Sequence, residues 1–89
     1  MRHIVKRAGH KEHFDERKVY ASCYAACLSA HIKHRQAEEI CDKVTRDVKK
    51  WIMTKEEVTS HRIFRKVASC LRVYDKDAAF MYETHRDIG

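Results

Sequence analysis

The chain has 89 residues, of which 44% are hydrophobic and 36% charged, and a formal net charge of +6. A chain of this length makes one domain, residues 1–89, and buries only about 60–65% of the surface its unfolded form exposes, which excludes a second lobe around a large cleft. Its composition excludes disorder, no run nears the roughly 20 apolar residues that span a bilayer, and the N-terminal MRHIVKRAGH holds no apolar core of signal-peptide length, so a cytoplasmic protein with anionic partners is expected.

Residues 3–7 read as a short strand through Ile4 and Val5, and residues 10–14 as a second strand ending at Phe14. Ala8-Gly9 lies between them. A tight hairpin needs a residue with positive φ, which glycine adopts at no steric cost. A type I turn followed by a left-handed glycine suits this pair, because it leaves Ala8 in the right-handed region. Two strands alone are marginal in water, so the hairpin must lie on something.

The rest of the chain reads as helical. Asp15 is placed to cap a first helix over residues 16–30, with Phe14 and Val19 at the positions of a hydrophobic staple. Val19, Cys23, Ala26, Cys27 and Ala30 make its apolar stripe. A second helix over 34–53 carries Ala37, Ile40, Cys41, Val44, Val48, Trp51 and Ile52. Residues 54–58, TKEEV, read as a polar link. Thr59 or Ser60 then caps a third helix to residue 74, with Val58 stapled to Ile63 and a stripe of Ile63, Val67, Cys70, Leu71 and Tyr74. Asp75 caps a last helix over 76–86 bearing Ala78, Ala79, Met81 and Tyr82.

The four cysteines, Cys23, Cys27, Cys41 and Cys70, form no C-x-x-C pair, and no histidine pair has zinc-finger spacing. All four fall on apolar stripes, which predicts reduced core thiols and no metal. Cys27 and His31 stand four apart, but Cys27 belongs to the apolar face and no third group orients the imidazole, so no cysteine nucleophile is expected. With one internal glycine there is no glycine-rich phosphate loop. Tyr20, Tyr24 and Trp51 read as core or core-edge groups rather than base-stacking platforms.

In order and spacing these segments resemble the ATP-cone family, the small regulatory nucleotide-binding domain of many ribonucleotide reductases and of the bacterial repressor of reductase genes. The family opens with a Val-x-Lys-Arg-Asp-Gly hairpin, a glutamate and Phe-Asp-x-x-Lys. Here the corresponding residues are Ile4-Val5-Lys6-Arg7-Ala8-Gly9, Glu12 and Phe14-Asp15-Glu16-Arg17-Lys18. The family's third-helix start is matched by Val58-Thr59-Ser60 with Ile63, and its closing pattern by Leu71, Asp75, Ala78, Ala79 and Phe80. Ala8 stands where the family carries aspartate, and Phe64 where some reductase cones carry a histidine.

The resemblance implies a mainly α fold, a four-helix bundle with a small N-terminal β-hairpin lid. It implies that ATP or dATP, with or without Mg2+, sits between lid and bundle as an effector. Val5, Lys6, Arg7, Glu12, Lys18, Thr59 and Ser60 would line that site. Lys6, Arg7 and Lys18 would face the phosphates, Glu12 the base or ribose, and Thr59 and Ser60 the third-helix end. The implied role is allosteric and non-catalytic, exerted in trans on a ribonucleotide reductase or other regulated protein, with homo-oligomers as the means of signalling. A methionine directly before the motif favours a free-standing protein. Membranes and nucleic acid are not expected partners. The competing reading is a small basic helical interaction protein that keeps the cone fold without nucleotide.

Overall fold

A computed structural model describes residues 4–7 and 9–84, the side chain of Arg7 excepted. The chain runs β1 (Ile4–Arg7), β2 (His10–His13), α1 (Glu16–Ser29), α2 (His34–Ile52), β3 (Glu57–Thr59), α3 (Ser60–Tyr74) and α4 (Lys76–Thr84). The fold is mainly α, as expected, with a three-stranded rather than a two-stranded sheet.

β1 and β2 pair antiparallel, with Arg7 opposite His10, so only residues 8 and 9 connect them. Gly9 has φ +88°. The expected conformation of Ala8 lies outside the described residues. Phe14 leaves the strand and becomes the residue before the cap of α1.

The polar link is corrected by the structure. Residues 57–59 form β3, which pairs parallel to β1, and the sheet order is β2-β1-β3. Val58, opposite Val5, is buried. The Ile4 amide also donates to the Glu56 carbonyl at 3.1 Å. Parallel strands need a long crossover. Here α1 and α2 supply it, and β3 runs straight into α3.

Three helix starts are capped as their sequences predict. The Arg17 amide donates to the Asp15 carboxylate at 3.0 Å, the Arg62 amide to Thr59 Oγ1 at 3.1 Å, and the Ala78 amide to Asp75 at 2.9 Å. The two expected staples coincide with burial: Val19 and Val58 are buried, with Phe14 and Ile63 packed against the core. The N-cap of α2, Lys33, makes no side-chain cap bond.

α1 ends one residue early, without glycine. Ala30 is its C-cap, and His31 takes the left-handed conformation with φ +64°. The Ile32 amide donates to the Cys27 carbonyl at 3.0 Å and the His31 amide to the Leu28 carbonyl at 3.0 Å. This is the paired bonding of a Schellman motif, and Ile32 packs against the core beyond it. His31 therefore lies in the turn and not on the helix face of Cys27.

The core joins the predicted stripes: Val19, Cys23, Ala26 and Cys27 of α1, Ala37 to Ile52 of α2, Val67 and Leu71 of α3, Ala78 and Ala79 of α4, and Val58 of β3. Several expected stripe positions lie at the core's edge, Ala30, Ile63, Met81 and Tyr82 among them. Cys70 is half-buried, and Tyr74 is exposed, donating to the Asp47 carboxylate at 2.9 Å. Trp51 is half-buried beneath Lys55, Arg62 and Lys66, each 5.6–5.7 Å from the ring centroid. It is a core-edge residue, as expected.

Candidate functional site

The sheet register decides which lid residues share a face. Residues directly opposite one another project to the same side, and Val5 stands opposite both Glu12 and Val58. Val5 and Val58 are buried, so this is the face toward the bundle. Glu12 therefore projects inward, and it meets Lys18 of the first turn of α1, with Nζ to carboxylate oxygen at 3.7 Å. A carboxylate and an ammonium from the predicted set thus meet where lid and bundle join.

Lys6 projects to the other face, opposite Lys11 and Thr59. Its ammonium lies 3.3 Å from a Glu57 oxygen, while Lys11 lies 3.4 Å from the second oxygen. One β3 carboxylate thus holds one lysine from each hairpin strand. The Lys6 ammonium, with the Lys11 ammonium beyond it, holds the Glu57 carboxyl below the usual carboxylate range. Sequence reasoning missed Glu57. Nothing in an apparent polar link marked it, since its role depends on β3 pairing with β1.

Thr59 is exposed and spends its hydroxyl oxygen on the α3 cap, and Ser60 begins that helix half-buried. The expected placement of the Arg7 side chain lies outside the described residues. The described part of the set thus falls into two groups. Val5, Glu12 and Lys18 lie on the bundle side, while Lys6 and Thr59 lie across the β1–β3 seam on the outer side. Among the described ion pairs, three lysines (Lys6, Lys11 and Lys18) face two carboxylates (Glu12 and Glu57). An anion offering several oxygens can replace the carboxylate of one face and make charge-assisted bonds to the ammonium groups which that carboxylate held.

A separate cleft of about 590 Å³ opens between the start of α1 and α2, lined by Phe14, Asp15, Glu16, Arg17, Tyr20, Asp42, Thr45, Arg46 and Lys49. It contains none of the predicted nucleotide residues. Its three acids match its three bases, and Lys49 is paired to Glu16 at 3.1 Å. Its balanced charge offers no net attraction to a phosphate, whereas the lid holds several lysines.

The sequence matches the ATP cone domain family over residues 2–87. It is 32% identical to the transcriptional repressor NrdR of Carboxydothermus hydrogenoformans, covering 97% of this chain and 57% of that protein. It is 29% identical to NrdR of Sorangium cellulosum over 96% of this chain and 57% of that protein. NrdR of Clostridium kluyveri is 26% identical, over 97% and 58% respectively. The chain thus spans less than two thirds of the length of these curated relatives. No solved structure gives a significant match. With hairpin, capped α1 and third-helix start all in the family's order, and the family's pattern running almost the whole length, the chain belongs to the ATP-cone family.

Proposed function

We propose that this chain is a regulatory module that binds ATP or dATP at the lid, with Val5, Lys6, Arg7, Glu12, Lys18, Thr59 and Ser60 as its site. The observation that carries the reading is the pair of lid carboxylates, Glu12 and Glu57, holding lysines on the two faces of one small sheet. Nucleotide phosphates would take over these lysines, and release of Glu57 from Lys6 and Lys11 would change how the hairpin is tied to β3. Binding is thereby linked to lid position, which is what a sensor requires. Mg2+ would share the phosphate charge, but the reading does not depend on it. The reading is of a binder rather than an enzyme: among the described residues of the lid, no nucleophile stands beside a base.

What the module regulates is suggested by the relatives. Their names describe transcriptional repressors, which favours control of transcription over direct control of a reductase. Nucleic acid, set aside as a partner on sequence grounds, therefore returns to consideration for any larger assembly in which the module works. The net charge of +6 suits such surroundings.

Titration with ATP and dATP tests the site. Each charge-assisted bond to phosphate contributes about 1.5–3 kcal/mol, so Lys6→Ala with Lys18→Ala should weaken binding at least about a hundredfold. Both side chains are exposed, and the fold should survive. Equal affinity in wild type and double variant would put the nucleotide elsewhere. No saturable signal in wild type at millimolar ATP, dATP or ADP would leave the interaction-protein reading.

A further inference from the structure

Three cysteines that looked unrelated along the chain meet in the core. Cys23 and Cys27 stand one turn apart on α1, and Cys41 faces them from α2. None has exposed surface, and their Sγ atoms all lie within 4.8 Å of one another. Three sulfurs bonded at about 2.3 Å to one pyramidal trivalent ion sit roughly 3.3–3.5 Å apart. The cluster would close on an ion by movements of under about 1 Å.

Charge decides which ion fits. Three thiolates carry three negative charges into a core whose other members are apolar. A monovalent ion would leave two of those charges and a divalent ion one, and an uncompensated charge there is costly. A trivalent ion leaves none. Zinc also needs a fourth ligand in a closed site, and among the described residues no histidine or carboxylate joins the three sulfurs. We propose that Cys23, Cys27 and Cys41 form a three-sulfur site for a trivalent thiophile of the arsenite class, reached when α1 and α2 part in local opening. Arsenous acid and the three thiols exchange three As–O bonds for three As–S bonds and release three waters. The oxidation state does not change, and the product is neutral. The bonded ion ties α1 to α2. Such a site departs from the expectation of four metal-free core thiols.

The test uses the full chain, reduced and handled anaerobically so that no disulfide consumes the ligands, then mixed with one equivalent of sodium arsenite. Native mass spectrometry should show one arsenic per chain with three hydrogens lost. The thiol count should fall from four to one, and alkylation with peptide mapping should label only Cys70. Cys70→Ser should load as wild type does, and Cys41→Ala should not. Because mapping is done on wild type, the proposal stands or falls even if Cys41→Ala misfolds. Four titrating thiols after incubation, a protected Cys70, or retention of zinc in preference to arsenite would each overturn it.

Discussion

Gly9, at φ +88°, and His31, at φ +64°, solve the same backbone problem with different side chains. At Gly9 an added Cβ would meet nothing within 4 Å, so the penalty for alanine is conformational and not steric. Gly9→Ala should loosen the hairpin by about 1 kcal/mol while leaving the helices intact, read as faster amide exchange at Val5 and Glu12 with no change at Val48. His31 already bears the left-handed penalty of roughly 1–2 kcal/mol. His31→Gly would remove it against a smaller loss of chain entropy, and should stabilise the domain by about 0.5–1 kcal/mol in urea unfolding. A destabilised His31→Gly would mean that the imidazole makes a contact worth more than the backbone relief.

At the scale of elements, α1 and α3 were legible because each start combines a cap with an apolar residue on either side, while α2, whose N-cap Lys33 makes no side-chain bond, was legible from its apolar stripe. Asp15 between Phe14 and Val19 and Thr59 between Val58 and Ile63 are local signals, and the bonds they predict are present. β3 was not legible for the opposite reason. Three residues with one buried side chain have no period to detect, and the partner of Val58 is Val5, across two whole helices. The site shared this fate in part. Motif order identified Lys6, Glu12 and Lys18, but the face each one takes depends on the register, and Glu57 became visible only once β3 was seen. The cysteine cluster was hidden in the same way, since sequence places Cys41 on its stripe without showing where α2 docks on α1.

The seam through Glu57 also sets a pH dependence. Lys6 and Lys11 depress the Glu57 carboxyl, and the Arg17 side chain and amide depress that of Asp15. A depressed carboxylate contributes stability that is fully present above its ordinary pKa, here 4.5 for Glu57 and 3.8 for Asp15, and is lost as pH falls through the lower folded value. The contributions of Glu57 and Asp15 should therefore be constant between pH 8 and about 5 and fall only below about 4.5. Glu57 is exposed and Asp15 half-buried, and both carboxylates remain open to solvent screening, so the loss is small and local. Amide exchange at Lys6 should accelerate relative to Val48 between pH 5 and 3, and Glu57→Gln should remove most of that difference. Lid loosening that begins near pH 6 would mean that groups other than Glu57 and Asp15 set the dependence.

On the scale of the whole molecule, lid and bundle share their supports. α1 carries Lys18 under the lid and Cys23 in the core, and β3 joins the lid edge directly to α3. A ligand at the seam should thus stabilise the entire cooperative unit. At a hundred times its dissociation constant, a ligand binding only the folded state adds about 2.7 kcal/mol, and in a domain of this size each kcal/mol moves Tm by about 4–8 °C. ATP or dATP should raise Tm by roughly 10–20 °C at that saturation. The core supplies the control. Leu71 has no exposed surface, and Leu71→Ala should cost about 2–5 kcal/mol, a large share of the roughly 5–15 kcal/mol that holds a small domain folded. Its Tm should drop, yet saturating nucleotide should still raise it by a similar free energy, because the lid lysines are untouched. In Lys6→Ala with Lys18→Ala the starting Tm should stay near wild type and the nucleotide increment should vanish. If Leu71→Ala also lost the increment while remaining folded, the lid would not be the site, and nucleotide would be stabilising the bundle through the core itself.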